Sequence, residues 1–489
     1  MLEPALIGLD LGTSSCKAVA FTTDGRRLAE SRVAYPTRGS GIAAEQQPEF
    51  WVSAALDCLA GIARQVEPES VVAIGLSGQI GTHLLVDVSG RPLADAVTWQ
   101  DGRSGAYLAE VAEAVPDEWL TAQLDTQLPP GPAWPLPRLC WLRAELPELL
   151  ERARYLLYPK DYLVWRLTGS PLSDPSSWRG IARPDGSVLV EALQRLGLPD
   201  LVPPLAAPDT TAGGLTTTVA TTTGLLAGTP VVTGLNDLNA GLLGIGAVRA
   251  GAAFDIGGTS EHLGFVARER SADWRVAGVP LHAVDSLLYS VYGVTSNAGS
   301  VVTWLERAFL ADGQDYSQVA GTSRPGASGL LCIPYLHGER APIWDARATG
   351  AFLGLTNSHG PADFVRAALE GVACNLRAIR ESIPAAAQSS QPIRTTGGTS
   401  RSAVWNSIKA AVLQRPLQLL AEPEAPALGA AILAGTGVGI FGSTQDACAA
   451  MVRTGPVVEP AAELVGLYED VYLRYTQAAA LVRELRQPS

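Results

Sequence analysis

Two stretches about half a chain apart share one pattern of apolar and small residues. Residues 5–25 contain an apolar run that ends at Asp10, a turn of small residues and a second apolar run, and residues 252–266 repeat this pattern. The turn residues of the two copies are Gly12, Thr13 and Ser14, and Gly258, Thr259 and Ser260. The pattern is typical of a β-hairpin. A single duplication at this distance indicates two related domains and not a solenoid.

Strand-like and helix-like patterns alternate along the rest of the chain. Residues 48–66 have the period of an amphipathic helix and precede a short apolar strand pattern at 71–76, and in the second half a strand pattern at 392–396 precedes a helix pattern at 402–413. This alternation predicts an α/β protein whose sheets are covered by helices. A chain of 489 residues is too long for one core. We therefore predict two domains, 1–247 and 248–489.

The charge and the cysteine pattern limit the partners and the compartment. The net charge of −12 argues against a nucleic-acid partner, because phosphate backbones are bound by excess lysine and arginine. The longest nearly apolar stretch, 425–441, is rich in glycine and alanine, which favours a buried helix and a turn and gives no reason to expect a membrane partner. Glu3 and Asp10 stand where a signal peptide would be apolar, and the six cysteines occur singly, so we expect a cytoplasmic protein with reduced thiols. Whether it works as a monomer or a homodimer stays open.

Glycine-rich turns are candidates for phosphate binding, because glycine lets backbone amides approach phosphate oxygens and serine or threonine adds donors. A single turn of this composition is also common in β-hairpins that bind nothing. Two copies at matching places favour binding of a nucleoside triphosphate. A third glycine pair, Gly397 and Gly398, lies between a predicted strand and a predicted helix. That arrangement suits the base or ribose of a nucleotide at a helix N-terminus. A simple turn between strand and helix is the alternative.

Transfer of a phosphoryl group to an alcohol needs a carboxylate that accepts the hydroxyl proton and a metal ion that neutralises phosphate charge. Asp237 is a candidate for the first role, because it ends the apolar run 230–237 and small residues follow it. The alternative is a structural Asp that caps a helix. Asp10 ends the first strand beside the first glycine turn, where it can orient magnesium through water or merely stabilise its own turn.

A set of segments, in order along nearly the whole chain, resembles the FGGY family of carbohydrate kinases and most closely its xylulokinase branch. These segments are residues 8–17, 45–51, 99–103, 159–162, 258–260 and 334–340, together with Asp237, Gly397 and Gly398. Together they are highly specific, although no single one would be.

The resemblance implies two actin-like (ribonuclease H-like) domains with an ATP and sugar cleft between them, and transfer of the γ-phosphoryl group of ATP to a ketose, a polyol or a related sugar. It implies that Asp237 is the proton acceptor and that Asp10 acts near Mg²⁺ through water. The implied ATP-binding residues are Gly12, Thr13, Ser14, Lys17, Gly258, Thr259, Gly397, Gly398 and Asn406. The implied sugar-binding residues are Gln79, Ile80, Gly81, Asp101 and Asp237.

Two sugar-facing positions depart from the xylulokinase pattern. Xylulokinases usually have Gln-Met-His-Gly where this chain has Gln79, Ile80, Gly81 and Thr82, and they commonly have Asn where this chain has Leu238. Each departure removes a polar side chain, and the loss of paired polar groups changes selectivity by orders of magnitude. We therefore predict that D-xylulose is a poor substrate, and that another ketose, a deoxy-sugar or a polyol is a better one.

Two other functions have weaker support in the sequence. The glycines of residues 437–442 match a dinucleotide-binding fingerprint, but they follow an alanine-rich helix pattern and not a strand, so the context that the fingerprint requires is absent. An actin-like ATPase that acts on no sugar would share the two hairpins. It would have no use for Asp237 or for the segments 99–103 and 335–340, and sugar-stimulated ATP turnover discriminates between the two functions.

Overall fold

The computed structural model describes residues 3–127, 131–183, 185–281, 283–384 and 388–485. The chain folds into two compact units. Unit 1 comprises Met1–Val248, Val279–Tyr289 and Glu424–Val452, and unit 2 comprises Arg249–Gly278, Ser290–Pro423 and Arg453–Ser489. These units are defined by packing alone. The division into family domains at 247/248 therefore stays a prediction.

Strands and helices alternate as the sequence predicts. The strands are β1 (Ala5–Leu11), β2 (Ser15–Thr22), β3 (Arg27–Ala34), β4 (Arg38–Ser40), β5 (Ala43–Gln46), β6 (Val71–Gly78), β7 (Leu84–Val86), β8 (Ala96–Val97), β9 (Tyr155–Leu157), β10 (Thr211–Gly214), β11 (Pro230–Val232), β12 (Leu235–Asn236), β13 (Ala253–Gly257), β14 (Glu261–Ala267), β15 (Ala277–Leu281), β16 (Asp285–Thr295), β17 (Leu331–Ile333), β18 (Ala351–Leu353), β19 (Ile393–Gly397), β20 (Leu417–Leu420) and β21 (Thr454–Val458).

The α-helices are α1 (Pro48–Ala63), α2 (Leu108–Ala114), α3 (Asp117–Leu124), α4 (Pro135–Glu145), α5 (Pro147–Arg152), α6 (Pro159–Thr168), α7 (Val190–Arg195), α8 (Thr217–Thr223), α9 (Asp237–Gly244), α10 (Gly299–Phe309), α11 (Tyr316–Thr322), α12 (Pro361–Ser382), α13 (Ala403–Leu413), α14 (Ala425–Gly437), α15 (Thr444–Met451) and α16 (Ala462–Glu484). Among the helices of the described ranges, none combines the length and the apolar character needed to cross a bilayer.

The main sheet of each unit contains one of the two predicted hairpins. The first sheet has the strand order β10-β11-β6-β1-β2-β3, with β12 also paired to β6. The second has the order β15-β16-β14-β13-β19-β20-β21. In each sheet the first hairpin strand pairs antiparallel with the second and parallel with a later strand, β6 or β19. The predicted hairpins and the predicted α/β class are therefore confirmed.

The two hairpins match down to one hydrogen bond. Asp10 of β1 lies opposite Ser77 of β6, and Ser77 Oγ donates to Asp10 Oδ1 over 2.9 Å. Asp255 of β13 lies opposite Thr395 of β19, and Thr395 Oγ1 donates to Asp255 Oδ2 over 2.8 Å. The same carboxylate and hydroxyl pair thus recurs at equivalent places, as expected for related domains.

Helix α14 lies against the first sheet at backbone distance. A Cβ atom on Gly8 of β1 would lie 1.7 Å from the carbonyl oxygen of Ala427, and one on Gly75 of β6 would lie 1.8 Å from that of Ala430. Only glycine permits this approach. The helix thereby packs on the two strands whose ends carry Asp10 and Ser77.

Candidate active site

Three strand ends of the first sheet meet near the predicted catalytic carboxylates. Strand β6 lies between β1 and β12, with Ser77 opposite Asp10 on one side and Gly78 opposite Asn236 on the other. Asp237 follows β12 directly and is the first residue of α9. Because these strands are parallel, Asp10 and Asp237 emerge at the same edge of the sheet.

Asp237 is held at the N-terminus of its helix. The Asn236 side chain caps the helix, since its Oδ1 accepts from the Asn239 amide over 3.1 Å. Asp237 Oδ1 accepts from the Leu238 amide over 2.8 Å. Burial and the negative charge of Asp10 raise the pKa of Asp237 to about 7, and hydrogen bonds and the charge of Arg179 only partly oppose this rise. The carboxyl group therefore exchanges its proton near neutral pH.

Asp10 is also shifted, but it has partners that favour its charged form. Burial raises the pKa of Asp10, while the hydrogen bond from Ser77 and the charge of Lys17 act in the opposite direction. Lys17 lies opposite Asp10 in the hairpin and forms an ion pair with Glu424. The predicted contact of Lys17 with ATP stays a prediction.

The first glycine turn is braced by three side chains of unit 1. The Tyr35 hydroxyl donates to the Gly12 carbonyl. Gln46 Nε2 donates to the Thr13 carbonyl over 2.6 Å, and Trp99 Nε1 donates to Thr13 Oγ1 over 2.9 Å. The turn is thus fixed without a ligand, as an anion-binding turn of backbone amides should be.

Both hairpin turns leave space where a residue other than glycine would place its Cβ atom. The nearest atom to a Cβ at Gly12 is the Ser15 carbonyl oxygen at 3.4 Å, and at Gly258 it is the Ser260 carbonyl oxygen at 3.5 Å. The amides of Gly12 and Gly258 close their own turns by donating to these same two oxygens. We therefore expect the amides of the following residues to be the phosphate donors.

The second turn is anchored through its carbonyl groups. The carbonyl oxygens of Gly258 and Thr259 accept from the amides of Gly299 and Ser300, over 3.0 and 3.1 Å, at the start of α10. Helix α10 thereby fixes the turn from its carbonyl side.

In the third turn the two glycines have different roles. Gly397 has φ 91°, and a Cβ there would lie 2.0 Å from the Gly257 carbonyl oxygen, so this position is restricted to glycine by packing. At Gly398 a Cβ would meet nothing within 4 Å. Nearby, Asn406 Nδ2 donates to the Ser400 carbonyl over 2.7 Å, while Asn406 Oδ1 is buried without a partner. That buried acceptor fits a ligand that brings a donor, such as an amino group of a base.

A buried ion triad connects the second and third turns. Lys409 of α13 contacts Asp255 of β13, over 2.8 Å, and Glu261 of β14. Thr399, which follows the glycine pair, donates to Glu261 over 3.0 Å. Burial and the charge of Asp255 raise the pKa of Glu261, whereas Lys409 opposes this rise. Asp255, the counterpart of Asp10, is therefore locked in the protein interior.

On the predicted sugar side, Gln79 and Ile80 lie beside Asp237. The Ile80 amide forms a hydrogen bond to the Asp237 carboxyl group. Gln79 Nε2 donates to Gln46 Oε1 over 2.9 Å, and Gln79 Oε1 is buried without a partner. Gln79 thus has a vacant acceptor that a substrate hydroxyl can fill.

Gly81 is needed for its conformation. It has φ 78°, and a Cβ there would lie 2.9 Å from Ala133 Cβ and 3.1 Å from Trp99 Cβ. A larger side chain at this position requires the neighbouring segments to move.

Asp101 is fully buried and engaged within unit 1. Its carboxylate pairs with Arg103 over 2.7 Å and with Arg138 over 3.4 Å, and it accepts from the Ala44 amide over 2.9 Å. Burial raises the pKa of Asp101, but these partners, Arg103 foremost, outweigh burial and hold it below its usual value. Asp101 thus joins three segments, and its predicted contact with sugar stays a prediction.

Arg179, which no sequence pattern marks as a site residue, reaches the start of α9. Its Nη2 lies 3.4 Å from the side-chain oxygen of Asn236 and 3.4 Å from that of Asn239. The only signal in the sequence is that Arg179 is the single charged residue between Asp174 and Arg183.

The sequence matches both domains of one known protein family. Residues 5–244 match the N-terminal domain of the FGGY family of carbohydrate kinases, and residues 255–438 match its C-terminal domain. The chain belongs to the FGGY family of carbohydrate kinases.

Full-length relatives of this FGGY kinase carry two different names. It is 29% identical to the xylulose kinase of Bacillus subtilis (strain 168), over 98% of this chain and 97% of the relative. It is 28% identical to the gluconokinase of the same strain, over 98% of both chains. Its fold is similar to that of the ligand-bound xylulose kinase from Lactobacillus acidophilus, with a TM-score of 0.88 and 23% identity over 98% of each chain.

These findings confirm the predicted family, fold class and reaction type. The chain is a carbohydrate kinase, a phosphotransferase with an alcohol acceptor that uses ATP as donor. A sugar-independent actin-like ATPase is disfavoured accordingly.

Proposed function

We propose that this FGGY kinase transfers the γ-phosphoryl group of ATP to a hydroxyl of a small sugar or polyol, with Asp237 as general base. The observation that carries the proposal is the Asp237 carboxyl, which directly follows strand β12, lies near Asp10 and has a pKa of about 7. A base of this strength is suited to accept a hydroxyl proton near neutral pH.

The reaction balances on residues of the chain and its two substrates. The sugar hydroxyl oxygen forms a new bond to the γ-phosphorus, the bond from that phosphorus to the β,γ-bridging oxygen breaks, and ADP leaves. Asp237 takes the hydroxyl proton. In this proposal, amides of Thr13, Ser14 and Thr259 bind phosphate oxygens, since Gly12 and Gly258 let the phosphates approach their turns.

The residues present also fit magnesium. Among the described residues there is no group of three or more acidic, histidine or cysteine side chains that could hold a metal. Mg²⁺ in kinases takes most of its ligands from phosphates and water and only one or two from carboxylates. Asp10 would hold it through water, and the ion would neutralise charge on the phosphates.

The adenosine part of ATP is assigned to unit 2. Gly398 leaves open space, and Asn406 of α13, which donates to the carbonyl of Ser400 in the same turn, offers its buried Oδ1 as an acceptor. We further propose a cytoplasmic enzyme with FGGY domains 1–247 and 248–489. Residues Gln79, Ile80, Gly81 and Asp101 are proposed to line the sugar site.

The test is ADP release, coupled to a spectroscopic readout, with a panel of ketoses, alditols and aldonates. We expect at least one acceptor to stimulate ADP release strongly over the rate with ATP alone. Constant ATP turnover across the whole panel would reject the proposed function and support a sugar-independent ATPase.

A further inference from the structure

Glu339 is the buried centre of the segment 334–340, to which the proposed reaction assigns no role. It is only 2% exposed. Its carboxylate accepts hydrogen bonds over 2.8 to 3.2 Å from donors of three parts of unit 2, namely the backbone amides of Ser296 and Arg340 and the side chains of Thr295, Asn297 and Asn375. An ionised carboxylate has only acceptor sites, so it suits a position that is surrounded by donors.

Three of these donors belong to residues 295–297, here called the connector, which lead from the end of β16 towards α10. The connector is also tied to itself and to the segment of Glu339. The Asn297 amide donates to Thr295 Oγ1 over 3.0 Å, and Asn297 Oδ1 accepts from the Leu336 amide over 2.9 Å. Glu339 and its segment therefore fix the backbone that leads into α10.

Helix α10 in turn holds the second glycine turn. The amides of Gly299 and Ser300 donate to the carbonyl oxygens of Gly258 and Thr259. The approach is close, because a Cβ on Gly299 would lie 2.5 Å from the Gly258 carbonyl oxygen. The N-cap residue of α10 is an alanine, whose side chain cannot cap the helix. The start of α10 is thus held by the turn on one side and by the connector on the other, and a displacement of the connector would move the turn.

We propose that Glu339 is a positioning residue for the phosphates of ATP, because it holds the connector and, through α10, sets the position of the turn at Gly258. This inference rests on the proposed function, in which the Thr259 amide binds a phosphate oxygen. Glu339 acts through the backbone and needs no contact with ATP. A misplacement of about 1 Å at a binding group can cost up to about 100-fold in rate.

The first test is Glu339→Gln. Glutamine keeps the size of the side chain but turns one acceptor oxygen into a donor, so at least one of the surrounding donors loses its partner. We expect the dissociation constant of the β,γ-imido analogue of ATP, measured by calorimetry with Mg²⁺ and without acceptor, to rise by about tenfold or more. The KM for ATP should rise similarly, while the KM for the acceptor should change by less than about threefold.

Glu370 of α12 offers the matched control. It is also 2% exposed in unit 2, and burial raises the pKa of both glutamates. Its carboxylate accepts from the Gly326 amide and from Arg366 Nε, each over 2.9 Å. Glu370→Gln should therefore also lower the melting temperature, but it should change the dissociation constant of the analogue by less than about twofold. Equal weakening of analogue binding by both variants would overturn the inference, because a general loss of packing in unit 2 would explain it.

The double variant of Glu339→Gln and Gly258→Val tests whether Glu339 acts through the turn. Independent changes multiply their effects on the dissociation constant of the analogue, whereas two changes that disturb the same turn do not. We expect the double variant to fall short of the product of the single effects by about threefold or more. An effect equal to that product would contradict the proposed route through α10.

Thr295→Val serves where Glu339→Gln does not fold. It removes the hydroxyl that donates to Glu339 and accepts from the Asn297 amide. We expect it to raise the dissociation constant of the analogue by about threefold or more. Thr295→Ser keeps the hydroxyl and should stay within about twofold of the wild type. Equal affinities of the valine and serine variants would show that the connector does not set the position of the turn.

The outcomes separate this inference from the proposed function. Unchanged analogue binding in Glu339→Gln, together with weakened binding in Gly258→Val, would reject the inference and leave the kinase proposal standing. Unchanged binding in Gly258→Val would reject the phosphate role of the turn and the inference with it. Analogue binding that depends on both Glu339 and Gly258, without ADP release from any acceptor, would instead support the inference and reject the proposed function.

Discussion

Burial and the charge of Asp10 raise the pKa of Asp237 to about 7, which ordinary aspartate residues do not approach. The shift has a structural cause, because two strand ends bring two carboxylates to one sheet edge. A carboxylate with this pKa is a stronger base than a solvent-exposed one and is still mostly ionised above neutral pH. Both properties suit proton transfer from a sugar hydroxyl.

Replacement of Asp237 by Asn should remove the base and keep the fold. We expect turnover to fall by about 100-fold or more, with the KM for ATP changed by less than about threefold. The measurement is sugar-stimulated ADP release. Asp87→Asn, in a surface turn of the same unit, is the control and should leave turnover unchanged. Near-normal turnover of a folded Asp237→Asn enzyme would exclude Asp237 as the base.

The pKa of Asp237 also predicts how activity and stability change with pH. If the ionised form of Asp237 is the base, as we propose, kcat/KM should fall about tenfold per pH unit below about 7. The folded protein binds this proton more tightly than the unfolded chain, so stability is lost as the pH rises from about 3.8 to about 7. Asp237→Asn removes this loss. Its melting temperature should therefore exceed that of the wild type clearly at pH 8 and less at pH 5, and an equal difference at both would contradict the shift.

A site residue can be predicted from the sequence only where a local pattern marks its position. Asp10 and Asp237 were predicted because each ends an apolar run, and strand ends are where polar side chains emerge. Arg179 reaches Asn236 and Asn239 across about 60 residues of sequence, through a loop shaped by Asp174. No local pattern encodes such a contact.

The two hairpins are equivalent in backbone but differ in what surrounds their aspartates. Asp10 is partly exposed beside Asp237, whereas Asp255 is fully buried against Lys409. Turn composition and flanking apolar runs were enough to predict both hairpins. The Lys409 triad was not predicted, because its members come from two strands and a helix more than 140 residues away.

The open space at Gly258 predicts a selective effect on ATP. A Cβ atom there has one neighbour within 4 Å, the Ser260 carbonyl oxygen at 3.5 Å, so the fold should tolerate a valine, whose side chain would fill the space beside the amides that we propose bind phosphate. Gly258→Val should raise the KM for ATP by about tenfold or more and change the KM for the acceptor little. Gly466→Val in α16, where a Cβ also meets nothing within 4 Å, is the control. A change confined to the acceptor KM would reject the assignment of this turn to phosphate.

The buried triad predicts a large loss of stability. Lys409→Met leaves Asp255 and Glu261 without their shared cation in the interior, so we expect the free energy of unfolding to fall by about 3–5 kcal/mol. The measurement is urea denaturation followed by a signal from unit 2. Arg324→Met, at an exposed position of the same unit, should stay within about 0.5 kcal/mol of the wild type. A Lys409→Met protein as stable as that control would show that the triad does not stabilise the hairpin.

At the scale of the whole molecule, the order of elements along the chain does not reveal that a late segment belongs to unit 1. Residues Glu424–Val452 belong to unit 1 although most of unit 2 precedes them. The sequence predicts a buried helix and a turn within 425–441, and α14 spans Ala425–Gly437. Its place on β1 and β6 depends on glycines such as Gly8 and Gly75, whose meaning appears only when the facing carbonyls are known.

The last prediction concerns the choice of substrate by the whole enzyme. Gly81 stands where xylulokinases usually have His. Its φ of 78° and its closeness to Ala133 and Trp99 leave no room for a side chain. Leu238, at the usual Asn position, is buried with an exposed fraction of 6%. A D-xylulose hydroxyl that would form a hydrogen bond with one of these polar side chains stays unpaired in this enzyme, which weakens binding.

We therefore expect kcat/KM for D-xylulose to be at least about tenfold below that of the best acceptor in the panel. Leu238→Asn should narrow this gap, because it returns one hydrogen-bonding group next to Asp237. Gly81→His should not narrow it and should lower the melting temperature, because its backbone conformation is strained for a residue with a Cβ. If D-xylulose ranks first with the wild-type enzyme, the missing side chains do not set the selectivity, and the sugar must be held by groups other than those two.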